Sequence, residues 1–424
     1  MWWPECEETA QRVDIALIRR AEPRTIERMP VTRPIACLEV GWIVCQLWLA
    51  PALTLAQSRS PIISTVDAQV GAAPALVRIS GRQHLVYELH VTNLTRLDVM
   101  LTRVAMRDAS RQTVIADFRD AALASRIGRP GAPPDLPDKR VIGAGLRAVV
   151  YFWLPLDPGA PVPARVRHLI DVETTRDGQR MSVSMSGAEA GVRQDGSLVL
   201  NPPLRGGPWV AEYDPMLVGG HRTAIYAVDG RARIPARFAI DFVRLENDGS
   251  HARGDRAALA NWHGYGAEVL AVADATVAEA HDDIPEAPSI TAAQGAIPLE
   301  NVSGNYVALD LGGGRYAFYE HLKHGSVRVK AGDRIKAGDV LGLLGNSGSS
   351  SSGPHLHFHV ADAGNELAAE GIPYVFSGFE TVGMFDNIGG FTTGERWKPA
   401  AADAAGPRQR ELPAPISVVV FPPR

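Results

Sequence analysis

The chain has 424 residues, 46% hydrophobic and 21% charged, with 43 basic against 47 acidic side chains and only three cysteines. That length fits two or three globular domains, and the near-neutral balance lacks the basic field that generic nucleic-acid binding requires. Cys6, Cys37 and Cys45 all lie near the start, so a disulfide framework, a cysteine nucleophile or a cysteine metal site is excluded beyond residue 45.

Residues 1–56 read as a leader, with Met29 a possible true start. Arg33 supplies a short basic region, the stretch 35–49 is mostly apolar apart from Glu39, and Thr54-Leu55-Ala56 offers small residues before a cut after Ala56. That order is the pattern of a secretory signal peptide, with an uncleaved anchor or buried helix as the alternative. Export to the periplasm or the extracellular space is therefore expected. No later stretch approaches the roughly 18 consecutive apolar residues of a membrane span, so no membrane association is expected after cleavage.

From 65 to 205 the hydrophobic pattern has period two. Tyr87, Leu89 and Val91 alternate with Glu88, His90 and Thr92, and Val166, His168, Ile170 and Val172 repeat every second residue. Alternation of this kind predicts half-buried strands. Asp177-Gly178 and Asp195-Gly196 mark tight turns between such runs, and several short strands over that length suggest a β-sandwich, immunoglobulin-like in character. His90 falls on the polar face, and His168 reads as a satisfied or edge histidine. No catalytic constellation is visible here.

Nine of the twelve histidines lie between 221 and 359. The densest group is Gly353-Pro-His355-Leu-His357-Phe-His359, where a strand would place the three imidazoles on one face and Leu356 and Phe358 in the core. The glycine- and serine-rich stretch 345–353 precedes it. Asp241 interrupts the apolar run 238–243 and needs a partner if buried, either an arginine or a metal. Tyr319-Glu320-His321-Leu322 ends a predicted strand that begins near Arg315. Lys-Ala-Gly-Asp occurs at 330–333 and again at 336–339, predicting short strands punctuated by tight turns.

Together these segments resemble the lysostaphin-type, or LytM-type, zinc endopeptidases that cut peptide bonds in bacterial peptidoglycan. The resemblance covers residues 209–385. It is carried by the segment 266–277, Gly304-Asn-Tyr-Val307, His321-Leu322, the two glycine-aspartate turns, Gly345-Asn-Ser-Gly348 and His355-Leu-His357. It implies an antiparallel barrel-sandwich hybrid (a duplicated hybrid motif), so that the whole protein is mainly β. It also implies one zinc ion held by Asp241 and His357, His355 beside the metal handling the attacking water, and His321 stabilising the tetrahedral transition state.

One position departs from the family pattern. Four residues before the aspartate the family has a ligand histidine; here it is Arg237, which cannot donate a lone pair and could instead pair with Asp241. His221 is the candidate replacement ligand. An Asp229-Gly230 hairpin would bring it opposite Phe238, and a bulge near Pro235 would turn it toward the Asp241 face; otherwise it sits at the groove rim. His359 stands where the family has glutamate, and His251, His263, His281 and His324 lie in polar or loop-like surroundings. Residues 386–424 are expected to form a linker and then a returning strand over 416–421, closing the N-terminal sandwich. The expected function is an exported zinc endopeptidase acting on peptidoglycan peptides. The rival, motivated by Arg237, is a non-catalytic relative that binds cell wall or regulates a partner hydrolase.

Overall fold

Alternating side chains in the first part of the chain produce two antiparallel sheets in this computed structural model, which describes residues 65–423 apart from 134, 218, 288, 292–297, 349–352 and 403. The leader and signal peptide expected over 1–56 lie outside the described residues. One five-stranded sheet runs Val66–Val70, Arg82–Asn93, Arg147–Pro155, Ile127–Gly128, with Ala75–Ile79 also paired to Arg82–Asn93. The other runs Gln179–Gly191, Arg165–Arg176, Val99–Asp108, Val114–Arg119, with Val141–Ile142 on Val99–Asp108. Leu85, Tyr87, Leu89 and Val91 from one sheet and Val104, Met106, Val166, Ile170 and Val172 from the other share a buried core. The period-two residues picked out in the sequence therefore do point inward. Asp177-Gly178 makes its turn with both residues at positive φ, pairing Arg176 with Gln179.

His168 is fully buried in that core. Its Nδ1–H donates to the Ala188 carbonyl at 2.9 Å, leaving Nε2 to accept from the Tyr87 hydroxyl at 2.7 Å. Burial depresses its pKa to about 4, against 6.5 when solvated. Between those values the unfolded chain binds a proton that the folded chain refuses, so stability falls as pH drops through this window. We expect the denaturant stability lost between pH 7 and pH 5 to be smaller in His168→Gln than in wild type by about 2 kcal/mol. Parallel losses in the two proteins would contradict a neutral buried imidazole.

The second part is built on an eleven-stranded sheet. Its order is Arg334–Ile335, Ala275–His281, Asn305–Asp310, Tyr316–Leu322, Leu356–Ala361, Ile240–Arg244, Gly206–Glu212, Ser417–Phe421, Phe379–Met384, Lys398–Pro399, with Gly406–Arg408 also on Phe379–Met384. A two-stranded sheet, Glu268–Leu270 with Val340–Leu343, lies beside it. The protein is thus mainly β with antiparallel sheets, as the period-two pattern of its first part predicts and the family resemblance implies for the rest.

The C-terminal strand departs from expectation. Ser417–Phe421 does not close the N-terminal sandwich; it sits inside the large sheet, between Gly206–Glu212 and Phe379–Met384. Val418 packs into one core cluster and Val419 into another. A strand apolar on both faces is stabilised by burial on both sides, which the outer layer of a sandwich would not provide.

The two parts also share apolar packing. Ala75, Val77, Ile79 and Val86 belong to the same buried cluster as Trp209, Phe238, Ile240 and Phe358, and Leu198–Leu200 pairs in parallel with Tyr374–Phe376. Trp153 packs at a tilt against both Tyr213 and Phe238, with ring centroids 6.0 Å apart in each case. The boundary near residue 205 in the sequence is therefore bridged by a continuous core.

Candidate metal centre

Four neighbouring strands place four ionisable residues in one row. Glu212 lies opposite Asp241, Asp241 opposite His357, and His357 opposite Glu320. Directly opposed residues in an antiparallel sheet project to the same face, so the row is a consequence of register. Leu356 and Phe358 alternate with His357 and are fully buried in the core beneath.

Asp241 is the centre of the row. His357 Nδ1 lies 2.9 Å from its Oδ1, His221 Nε2 3.1 Å from its Oδ2, and His355 Nε2 3.6 Å from its Oδ1. Burial alone would raise the Asp241 carboxyl, but His221 and His355, with hydrogen bonds from His221 and His357, hold it well below the usual carboxylate range. Burial also works to depress His221; Asp241 and Glu212 outweigh it and raise that imidazole. His357 is depressed chiefly by burial, against the opposing pull of Asp241.

His221 reaches this position by an unforeseen route. The Asp229-Gly230 hairpin forms, with Val228 paired to Arg231, but its strands end at Tyr226 and Arg233. His221 instead opens a short 3-10 turn, His221–Thr223, so neither the extended register nor a bulge near Pro235 decides where it faces. It packs edge-on against His357 with ring centroids 4.7 Å apart.

Arg237 does not take up the pairing with Asp241 that its position left open. Its Nε donates to Glu88 Oε2 at 2.9 Å, Nη2 to Glu370 Oε2 at 2.7 Å and Nη1 to the Gly371 carbonyl at 2.9 Å. The reason is desolvation: Glu88 is fully buried in strand Arg82–Asn93, and a buried carboxylate needs a close cation. With Arg237 turned to these carboxylates, the side chains against Asp241 are three imidazoles.

The two remaining catalytic candidates have their tautomers set by backbone carbonyls. His355 Nδ1–H donates to the Gly353 carbonyl at 2.6 Å, and His321 Nδ1–H to the Ser347 carbonyl at 2.7 Å. A carbonyl only accepts, so in each neutral ring Nε2 carries the lone pair. The rings lie 4.7 Å apart, and His321 is 6.0 Å from His357. Burial, then His355 and His357, push the His321 imidazole well below its ordinary value. His321 adopts φ +62°, an uncommon conformation for a non-glycine residue and one associated with functional sites. Gly304 makes the adjoining crossing possible: at φ +63°, a Cβ there would meet the Ser347 carbonyl carbon at 2.4 Å. The described part of the glycine- and serine-rich stretch thus holds His321.

Behind His357, its Nε2 lies 3.1 Å from His359 Nδ1, which is 3.4 Å from Glu320 Oε1. All three side chains are buried. Among the described residues, His359 Nε2 and Glu320 Oε1 have no hydrogen-bond partner. Burial, reinforced by Glu366, raises Glu320 well above the usual range. A protonated Glu320 is then a candidate donor to this group. His251, by contrast, is buried elsewhere against Trp262 and Phe391.

The sequence reading missed Glu212. It faces Asp241 across the sheet, and burial followed by the Asp241 charge raises its carboxyl to about 8. Its local context, Trp209-Val210-Ala211-Glu212, carries no metal-site signal; only the strand register reveals it.

Whether these donors suit zinc can be tested by distance. One ligand atom each from His221, Asp241 and His357 lies within 4.8 Å of the other two. Tetrahedral zinc with bonds of about 2.0–2.1 Å requires ligand atoms roughly 3.4 Å apart, and the closest pairs here are 3.1 and 2.9 Å. Two imidazoles and a carboxylate, with no fixed cation paired to Asp241 among the described residues, fit that ion.

Residues 261–369 match Peptidase family M23. That span contains His321, His355, His357 and His359 and begins after Asp241. Over 58 residues the chain is 43% identical to an uncharacterized metalloprotease of Buchnera aphidicola subsp. Baizongia pistaciae (strain Bp), covering 14% of this chain and 15% of the relative. Over 79 residues it is 33% identical to endolysin 2638A of Staphylococcus phage 2638A, covering 19% of this chain and 16% of the relative. The chain therefore spans about a sixth of the length of these curated relatives. Among solved structures, the catalytic domain of the antimicrobial peptidase lysostaphin from Staphylococcus simulans is 20% identical, with 40% of this chain and 88% of that domain covered and a TM-score of 0.22.

Proposed function

We propose that this chain, which carries a Peptidase family M23 domain at residues 261–369, is an exported zinc-dependent endopeptidase that hydrolyses peptide bonds in bacterial peptidoglycan. The observation that carries the reading is the convergence of His221, Asp241 and His357 with His355 Nε2 aimed at the same carboxylate. His221, Asp241 and His357 would hold one zinc ion. Bound there, zinc supplies a Lewis acid for the scissile carbonyl and acidifies water.

The remaining steps belong to the chain's own atoms. To serve as a ligand, His357 Nδ1 gives up its proton; Nε2–H then donates to His359 Nδ1, fixing the ring. His355 keeps Nδ1–H on the Gly353 carbonyl, so Nε2 is the atom that takes a proton from water and returns it to the leaving amine. His321 keeps Nδ1–H on the Ser347 carbonyl, so its Nε2 would donate to the developing oxyanion only as the imidazolium, with the extra proton taken up from solvent and returned to solvent once the amine has left. Burial opposes that charge, so His321 acts best late, when negative charge has formed beside it.

What supports catalysis over the non-catalytic rival is the placement of Arg237. Its guanidinium serves Glu88 and Glu370, while His221 brings an imidazole to Asp241. Export rests on the signal-peptide pattern in residues 1–56; among the described residues, no helix is long and apolar enough to cross a membrane. The test is zinc content of purified protein together with hydrolysis of peptidoglycan cross-link peptides. Folded protein that shows neither overturns the reading. His355→Ala is expected to retain zinc while kcat falls about 10²–10⁴-fold, checked by single-turnover assays alongside metal analysis.

A further inference from the structure

The segments that carry His221 and Asp241 are both tied to one carboxylate from the other part of the chain. Glu88 lies in strand Arg82–Asn93 of the N-terminal sheets and is fully buried. Its Oε1 accepts from Arg222 Nε at 2.9 Å, and its Oε2 accepts from Arg237 Nε at 2.9 Å. Arg222 is the residue after His221, and Arg237 stands four before Asp241. Both arginines are buried.

The Arg222 side chain is held along its length. Nη2 donates to the carbonyls of Tyr87 at 2.9 Å and Phe152 at 2.8 Å, and the guanidinium lies 5.3 Å from the Tyr151 ring and 5.4 Å from the Trp153 ring. Arg237 links this pair to Glu370, which Arg233 also approaches at 3.5 Å from the half-exposed side. Arg and carboxylate interact through a planar fork, which fixes orientation as well as distance. Burial would raise Glu88, but Arg237 and Arg222 hold it ionised.

We infer that Glu88 is a positioning residue for the metal centre: by anchoring Arg222 and Arg237, it holds His221 against Asp241. This rests on the metal reading above. Strand pairing places Asp241 and His357 without help, because both lie in the large sheet. His221 has no such support. It occupies a short turn after a glycine pair, Gly219-Gly220; its ring meets Asp241 and the Ala239 backbone, and the Arg222 side chain beside it ties the turn to the N-terminal sheets. The N-terminal sheets are then part of the metal centre's construction, and the histidine missing at 237 and the histidine present at 221 are two aspects of one rearrangement.

The test measures zinc affinity of the full chain by chelator competition. Glu88→Gln with Arg222→Met removes one charge of each sign and leaves Arg237 balanced by Glu370. We expect this pair to fold and to bind zinc about tenfold to a hundredfold more weakly than wild type, the range seen when a ligand's supporting contacts are lost. In a His221→Ala background the same pair should change affinity by less than about threefold, because the loss is transmitted through His221. Arg222→Lys is the second probe: it keeps the charge, surrenders the two-carbonyl fork, and should also weaken zinc binding in a His221-dependent way. Wild-type affinity in the paired variant or in Arg222→Lys, or an undiminished loss without His221, overturns the inference. Zinc binding unaffected by Asp241→Ala and His357→Ala instead removes the underlying metal reading, and this inference with it.

Discussion

His357→Ala is expected to leave a folded protein without stoichiometric zinc and with at least about 10³-fold lower kcat/KM on cross-link peptides, equivalent to about 4 kcal/mol of transition-state stabilisation. Three features concentrate this effect in one ring. His357 Nδ1 is 2.9 Å from Asp241 Oδ1, so its loss reduces the proposed ligand set from three donors to two, fewer than catalytic zinc normally has. The ring is buried between His221 and His359, at 4.7 and 5.2 Å between centroids. Its Nε2 faces His359, so His359→Ala should have a smaller effect, about tenfold to a hundredfold in zinc affinity. Metal analysis of both variants, with circular dichroism as a fold check, separates these outcomes. Full zinc occupancy in His357→Ala would remove this ring from the ligand set.

Arg237→His should be strongly destabilising, although it installs the residue the family pattern calls for. Arg237 is 6% exposed and bridges Glu88 and Glu370. A histidine is too short to reproduce this fork, leaving Glu88 with Arg222 alone and Glu370 with the more distant Arg233 at 3.5 Å. Breaking a buried ion pair from one side costs about 3–5 kcal/mol, which corresponds to a fall in Tm of roughly 5 °C in a chain of this size. Zinc affinity should not rise, because His221 already faces Asp241. Thermal melts and a zinc titration decide the matter. An unchanged Tm with tighter zinc binding would show that position 237 is still a ligand position in this chain.

These two variants divide the site by how far its parts were readable. His321, His355 and His357 stand out in the sequence because their spacing and flanking glycines are local features. The strands around them follow from period-two alternation, which depends only on whether successive side chains face core or water. The same local logic yields the Asp177-Gly178 and Asp229-Gly230 turns, where two residues at positive φ suffice to reverse the chain.

The partner of Arg237 is not local. Glu88 lies 149 residues away in sequence, and nothing around it distinguishes it from a solvated residue on an alternating strand. Which carboxylate captures a buried guanidinium depends on which groups lose water together, and that is known only once the sheets have packed. His221 illustrates the same limit: its approach depends on Arg222 and a short turn, not on the hairpin register that the sequence suggests. Glu212 becomes visible only through its pairing with Asp241.

By itself the sequence determined a mainly β chain, the order of its histidines, and a chemistry restricted to imidazole and carboxylate, since no cysteine follows residue 45. The histidine order and the missing cysteines are plain in the residues, the strands of the first part follow from short-range periodicity, and the β character of the rest is what the resemblance implies. Tertiary structure alone decided that Arg237 faces Glu88 and Glu370, that His221 meets Asp241, and that Ser417–Phe421 lies within the large sheet. Each is a choice among partners far apart in the chain, made by the cost of burying charge or apolar surface without a match.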